Sequence, residues 1–260
     1  MRIHLPFAPH RRLRRRTFFL LLLAVLGLAA GVTWWLRSHP APRPNILLIT
    51  IDTLRADHLG CYGYQAAHTP AIDALAKEGA RFADVLSSAP ITAPAHTTLL
   101  TGLLPPAHGV RDNGTFSLND RAITLAERLH GAGYATGAFV SAIVLARRYN
   151  LGQGFDRYDD ELWGEQDPKL FMIRERPAMK TVDRFLDWQG QAMATAPGKP
   201  FFAWIHLFEP HQPYTPPLWA RIIAPLPYDA EITTADREIG RLMLALRRRG
   251  VLDRTVVVLT

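Results

Sequence analysis

Cysteine is nearly absent from this chain: Cys61 is the only one in 260 residues, which excludes an intrachain disulfide framework. No cysteine follows the apolar N-terminal run at a lipoprotein-like position. Cys61 itself stands between Gly60 and Tyr62 in a loop-like stretch and reads as a structural thiol rather than a nucleophile. Acidic residues are missing from positions 1–44, which hold eight arginines: Arg2, Arg11, Arg12, Arg14, Arg15, Arg16, Arg37 and Arg43. The chain's +7 less these eight leaves −1 for residues 45–260, so the basic balance is a property of the N-terminal segment and not the footprint of a nucleic-acid-binding domain. Internal repeats and low-complexity segments are also lacking beyond the arginine cluster. A composition that is 48% hydrophobic is not that of a disordered chain and allows one large domain with a sizeable core.

Residues 17–36 form a run of 20 uncharged, mostly apolar residues with five arginines immediately before it. That is long enough to cross a bilayer, and the positive-inside rule leaves residues 1–16 as a cytoplasmic basic tail and exports everything after the span. Gly27, Leu28 and Ala29 also suit a signal-peptide cleavage site. The uncleaved anchor is preferred because the apolar run continues past that site to Trp34 and Trp35, residue types of the membrane interface. Residues 37–44, with prolines at 40, 42 and 44, read as a short stiff linker.

The remainder alternates strand-like and helix-like stretches. Residues 45–51 (NILLITI) are a continuous aliphatic run of the kind buried on both faces of a parallel sheet, and Asp52 stands at its carboxyl end. Thr69 is expected to cap a helix opened by Pro70 and closed by Gly79. Residues 82–85 suggest a short strand, and Thr124 with Glu127 a capping box ahead of a helix ending at Gly131 or Gly133. Strands are expected at 135–140, 201–208 and 255–260, and helices at 178–194 and 228–249; residues 147–178 resist assignment. The pattern predicts an α/β layered domain over 45–260 with a mostly parallel central sheet, helices on both faces, and ligands at the carboxyl ends of the strands.

Residues 92–102 (TAPAHTTLLTG) combine a hydroxyl, a helix start and a histidine. Pro94 suits the first turn, Gly102 the left-handed position past the end, and Thr92 the N-terminal rim where the macrodipole favours an anion. Taken alone, Thr92 is a helix cap. Asp52 and the 209–217 loop with His211 both leave strands at carboxyl ends, so one rim is expected to hold them together, and residues 105–114, with His108, Gly109 and Asn113, read as a loop.

The residues that carry a wider resemblance run in order along the chain: PNILLITIDTLRADH from Pro44 to His58, then Gly60-Cys61-Tyr62-Gly63, Thr69-Pro70, Leu99-Leu100-Thr101-Gly102, His108-Gly109-Val110, Pro210-His211-Gln212-Pro213-Tyr214 and the helix from Tyr228. Residues 44–260 are thereby similar to the sulfatase branch of the alkaline phosphatase superfamily. The resemblance implies a metal-dependent hydrolase or transferase of sulfate or phosphate esters, with Asp52 in the place of the family's first metal-ligating aspartate. A carboxylate oxygen suits Ca²⁺, Mg²⁺ or Mn²⁺, while Zn²⁺ recruits more histidine.

Two departures from the family pattern matter. Thr53 stands where many sulfatases carry a second aspartate, which implies a less negative metal site. Where sulfatases have a Cys/Ser-x-Pro-x-Arg motif whose first residue is oxidised to formylglycine, this chain has Thr92 and, in place of the arginine, His96. Threonine yields no aldehyde, and threonine nucleophiles are a feature of related phosphodiesterases, phosphonate hydrolases and membrane-anchored transferases. Phosphoryl chemistry is therefore expected, with the metal on Asp52 and Thr92, and Asn113, His211 and His96 as candidate donors to the reacting group. His58, His108 and His206 read as structural.

The family's second group of metal ligands follows a strand resembling residues 255–260. The sequence given stops there, and the run Val256–Leu259 reads as an interior strand, so a C-terminally incomplete domain with little activity of its own is expected. The alternative is a non-catalytic, membrane-anchored domain that keeps the fold. The implied partners are an ester substrate and the lipid bilayer, with no nucleic acid.

Overall fold

A computed structural model describes residues 10–38, 43–162 and 175–260. Much of the expected basic tail (1–9), part of the linker (39–42) and the middle of the unassigned stretch (163–174) lie outside the described residues. The chain divides into two units, Met1–Arg43 and Pro44–Thr260. The first contains a helix, α1 (His10–Ser38), whose apolar side chains from Phe18 to Val32, with Trp34 and Trp35, are exposed. Among the described residues no helix is long and apolar enough to cross a membrane.

The second unit follows the order β1 (Asn45–Ile51), α2 (Pro70–Glu78), α3 (Thr92–Thr101), α4 (Pro105–His108), α5 (Leu125–Gly131), β2 (Ala135–Phe139), β3 (Arg157–Asp159), α6 (Ala178–Thr195), β4 (Phe201–Leu207), α7 (Leu218–Ile223), α8 (Pro227–Arg248) and β5 (Thr255–Leu259). The strands form one five-stranded sheet in the order β3-β2-β4-β1-β5, every pair parallel. Its two faces are separated by strand alternation. Leu47, Ile49, Phe201, Ala203 and Ile205 pack against α2, α6 and α8 through Ile72, Val182, Phe185, Ile239 and Leu242. On the other side Leu48, Phe202 and Trp204 pack with Ala93 and Leu100 of α3 and Ala126 of α5.

Most expected elements are present, with differences that have physical causes. The Thr124–Glu127 capping box is formed on both arms. Gly102 closes α3 at φ +70°, a left-handed position that suits glycine, its N–H bonded to Thr98 O. Thr69 precedes α2 without capping it: its hydroxyl binds Asp73 Oδ1 (3.1 Å) and accepts from Gly60 N–H. Residues 82–85 form no strand, since Phe82 and Val85 lie exposed and pair with nothing in the sheet. Among the described residues the run 255–259 pairs with β1 alone, with Val256 and Val258 about half exposed. Within the unassigned stretch, β3 extends the sheet beside β2; three residues are too few for a period-two signal.

The register of β1 against β4 is fixed within the core. Thr50 faces His206, and the buried Trp204 indole donates to Thr50 Oγ1 at 3.0 Å. Replacing Thr50 by valine strands that N–H, and chemical denaturation is expected to show a loss of about 1–3 kcal/mol. Thr50→Ser, which keeps the acceptor, is expected to retain most of the stability; equal losses in the two variants would show that the methyl matters and the hydrogen bond does not.

Candidate active site

Because residues two apart on a strand share a face, Thr50 and Asp52 point to the side covered by α3, as do Trp204 and His206 on the neighbouring strand. Asp52 continues the ladder past β1, its N–H bonded to Leu207 O (3.0 Å), so the carboxylate stands at the carboxyl rim of the sheet. The first turn of α3 meets it there. Thr92 Oγ1 donates to the Asp52 carboxylate, 3.2 Å from Oδ2 and 3.4 Å from Oδ1.

Thr92 does not cap its own helix. Ile91 occupies the N-cap position without a side-chain bond, and the Ala93 N–H is taken by Asn113 Oδ1 at 2.8 Å. The 109–114 loop thus supplies the acceptor that the helix start needs, which leaves the Thr92 hydroxyl for Asp52. His96, one turn further on, is buried, and its Nδ1–H donates to the Thr92 carbonyl at 2.8 Å. That bond fixes the tautomer. Burial foremost, and then the neighbouring His206, push the His96 ring down to about 4, so it is neutral near pH 7 with a bare Nε2. Among the described residues that Nε2, like the Nε2 of His206, is buried without a hydrogen-bond partner.

His206, read as structural from the sequence, is fully buried on β4 with Nε2 3.6 Å from Asp52 Oδ2, too long for a direct hydrogen bond. Ser141 N–H points at its Nδ1 (3.4 Å), which places the ring hydrogen on Nε2, toward Asp52. The signal was available: a histidine in an otherwise apolar strand, next to its carboxyl end. His58 and His108 do have structural partners. His58 binds Asp229 (2.6 Å), and His108 lies between Thr98 Oγ1 (3.2 Å) and the Val110 N–H (3.1 Å).

Burial alone would raise the Asp52 carboxyl, but His206, with His96 and His211 behind it, outweighs that effect and holds it below the ordinary aspartate range. Among the described residues its only ion-pair neighbour is His206; no lysine or arginine neutralises it. An ionised, largely buried carboxylate beside a hydroxyl offers two oxygen atoms of the kind a divalent-cation site uses. Among the described residues no group of three or more His, Cys, Asp or Glu converges closely enough to hold a metal ion.

His211 lies on the loop after β4, its ring 4.4 Å from that of Phe208 and its Nδ1–H donating to Gln212 O (2.6 Å), which leaves Nε2 for other partners. That loop is pinned from three sides: Glu209 accepts from Ala178 N–H at the start of α6 (3.0 Å), Thr53 Oγ1 donates to Pro210 O (2.7 Å), and Thr215 N–H donates to Glu231 Oε1 of α8 (2.7 Å). Thr53 adopts φ +52°, unfavourable for a β-branched residue. Tyr228 Oη holds it there by donating to the Thr53 carbonyl (2.7 Å). Cys61, in a short 3₁₀ turn, is partly buried, and burial with Asp73 nearby pushes its thiol up, consistent with a structural role.

Burial, opposed by the Thr215 N–H and reinforced by Glu209, pushes the Glu231 carboxyl up to about 7. The folded state therefore holds a proton that the unfolded chain releases near pH 4.5, so this residue's contribution to stability is lost as pH rises from about 4.5 to about 7. Glu231→Gln keeps an acceptor for Thr215 and removes the ionisation. Thermal melts are expected to show the variant more stable than the parent by up to about 3 kcal/mol above pH 7, and little different at pH 4. A parent–variant difference that does not change with pH would overturn the assignment.

The sequence matches the Sulfatase family over residues 44–260. It is 40% identical to mouse (Mus musculus) steryl-sulfatase over 140 residues, which are 46% of this chain and 22% of that protein. It is 27% identical to human (Homo sapiens) arylsulfatase A over 287 residues, 91% of this chain and 54% of the relative. Among solved structures, Ps i-CgsB in complex with k-i-k-neocarrahexaose superposes with a TM-score of 0.71 at 22% identity, over 84% of this chain and 58% of that one. The phosphonate monoester hydrolase of Agrobacterium radiobacter gives a TM-score of 0.64 at 22% identity, over 84% and 62% of the two chains. The chain spans about half the length of the human arylsulfatase A it matches. Its match over nearly the whole second unit, on a parallel α/β sheet that carries Asp52 and the 209–217 loop at its carboxyl rim, shows that this chain belongs to the sulfatase family.

Proposed function

We propose that this chain carries a metal-dependent, extracytoplasmic esterase or transferase site in which Thr92 is the nucleophile, and that its substrates are phosphate or phosphonate esters. What carries the reading is the Thr92 hydroxyl, directed at a buried carboxylate 3.2 Å away at the N-terminal rim of α3. Backbone donors and the positive helix end favour an anionic ester at that rim.

Thr92 Oγ1 attacks the phosphorus in line; its bond to phosphorus forms as the ester oxygen departs, and its proton leaves along the existing hydrogen bond to Asp52. The departing alkoxide takes a proton from a water whose other hydrogen is bonded to His211 Nε2, the ring nitrogen not engaged by Gln212. Asn113, already docked on the Ala93 N–H, is placed to donate through Nδ2 to an equatorial oxygen. His96 orients the Thr92 backbone through its Nδ1–H. Water or an acceptor alcohol then attacks the phosphothreonine and restores the hydroxyl. Asp52 and Thr92 are the residues that would hold a divalent cation, which would supply Lewis-acid charge and lower the pKa of the hydroxyl.

Sulfate esters are the second reading, supported by the relatives' names, steryl-sulfatase and arylsulfatase A. Phosphorus is preferred because threonine yields no formylglycine aldehyde. Incubation of the full chain with divalent salts and bis-p-nitrophenyl phosphate, p-nitrophenyl phosphonate or p-nitrophenyl sulfate, followed by peptide mass mapping, is expected to find a phosphoryl adduct on Thr92. Thr92→Ala is expected to abolish the adduct and lower any turnover at least about a thousand-fold, and Thr92→Ser to retain both. An unmodified Thr92, or full turnover by Thr92→Ala, would sink the nucleophile assignment; an adduct formed only with the sulfate ester would move the substrate class.

For the N-terminal unit we infer a signal anchor. Residues 17–36 are a 20-residue uncharged stretch after five arginines, and the described apolar side chains of α1 are exposed. On bacterial expression the full chain is expected to resist carbonate extraction from membranes, and deletion of residues 1–36 to release it. Release of the undeleted chain by carbonate would contradict the anchor.

A further inference from the structure

We propose that α7 and the turn after it, residues 218–226, form a membrane-contact surface of the second unit, suited to a bilayer that contains anionic phospholipid. The inference rests on the anchor read in residues 17–36 for the supply of a bilayer, and on the α7 segment alone for the contact.

Folding ordinarily buries large aliphatic side chains and leaves small ones outside. α7 does the reverse. Its packed residues are Ala220 and, at its end, Ala224, set against Ala230 of α8 in a small cluster of their own. Leu218, Ile222, Ile223 and Leu226 are 73%, 74%, 46% and 57% exposed. Leu218 and Ile222 are one turn apart, as are Ala220 and Ala224, and the offset of two residues between the pairs is about 200° of helix rotation, which puts them on opposite faces. Exposed aliphatic side chains gathered on a supported element mark an interaction surface.

The charges around the patch select its partner. Residues 210–228 contain no Asp or Glu, and Arg221 is their one lysine or arginine. It is exposed, next to Ile222. A second guanidinium, that of Arg237 on α8, is also exposed and lies over the Trp219 ring at 4.6 Å. Aliphatic tips flanked by arginines, whose stems lie along apolar surface while their heads stay in water, suit the boundary between acyl chains and phosphate headgroups. Protein partners draw most of their binding energy from Trp, Tyr and Arg seated in pockets, with Leu under-represented. The tryptophan of α7 is half-buried beside Arg237 and is not part of the exposed set.

The segment also begins and ends at the candidate site. It leaves the rim after Tyr214 and returns to it at Tyr228, and the two rings are 5.7 Å apart. Tyr228 Oη holds the carbonyl of Thr53, next to Asp52. Seating residues 218–226 among lipid headgroups therefore brings the carboxyl rim of the sheet to the bilayer surface.

The test uses the full chain, with Cys61→Ser, reconstituted in vesicles of phosphatidylcholine and phosphatidylserine. An environment-sensitive fluorophore is attached through Ile222→Cys or, as a control, through Lys199→Cys, an exposed position just before β4 at the other end of the sheet. Nitroxides on the lipid acyl chains are expected to quench the fluorophore at 222 at least about threefold more than the one at 199. Arg221→Gln and Arg237→Gln are each expected to lower the ratio of docked to undocked chains about fivefold in these vesicles, and to change little in phosphatidylcholine alone. With the fluorophore moved to Leu218→Cys, Ile222→Asp combined with Ile223→Asp is expected to abolish the quenching. Thermal melts check the fold of each variant, and the comparison of positions 222 and 199 decides the matter if a variant does not fold. Equal quenching at 222 and 199, or quenching at 218 that survives both aspartates, overturns the contact while leaving the anchor standing. Energy transfer between copies labelled at 222, without nitroxide quenching, assigns the face to a second copy of the chain and overturns it too. If carbonate releases the chain, the anchor reading fails; quenching at 222 by added vesicles then supports the contact on its own, and no quenching overturns it.

Discussion

Successive side chains of a strand point to opposite faces, and in two adjacent parallel strands of this domain the alternation falls in step. Leu48, Thr50 and Asp52 on β1 share a side with Phe202, Trp204 and His206 on β4, and that side is the one α3 covers. Slipping either strand by one residue would turn Asp52 or His206 into the opposite layer, against α2, α6 and α8. The register is held by packing on both faces and by the Trp204–Thr50 hydrogen bond. Whatever chemistry the rim performs rests on this constraint, because it turns the Asp52 carboxylate and the His206 imidazole to the side on which α3 carries Thr92 and His96.

The rim combines groups that are costly to bury. Among the described residues Asp52 has no lysine or arginine partner and His96 Nε2 no hydrogen-bond partner, and Thr53 holds a left-handed backbone despite its branched Cβ. Each is over-determined by neighbours: Asp52 by His206 and the Thr92 hydroxyl, Thr53 by Pro210 O and Tyr228 Oη. Such concentrations of unfavourable groups are found where binding or catalysis requires them. Nearby, Arg176 is fully buried and bonded to Asp159 and to the Val140 carbonyl, tying together the carboxyl ends of β2 and β3.

Long elements with strong patterning were legible in the chain itself. The aliphatic run 45–51, the α8 stripe of Ile232, Ala235, Ile239, Leu242, Met243 and Leu246, and the Thr124–Glu127 box all read correctly, since each is a local consequence of side-chain period or capping chemistry. Short or exposed pieces did not. Three-residue β3 has no period, and residues 82–85 are apolar but, among the described residues, pair with nothing in the sheet. Hydrophobicity measures a preference for burial and does not by itself decide which runs pair across a sheet.

The sequence by itself determined the layered α/β class, the charged N-terminal segment, and the placing of Asp52, Thr92, Asn113 and His211 in loops or helix starts, since these follow from runs, periods and spacings within tens of residues. Only the tertiary structure decided that Thr92 donates to Asp52 instead of capping α3, because that depends on Asn113 arriving from another loop to take the Ala93 N–H. It also moved His206 from the structural set to the rim and left His96 Nε2 bare. Both outcomes depend on the partners that residues far apart in sequence provide, and one-dimensional periodicity carries no record of them.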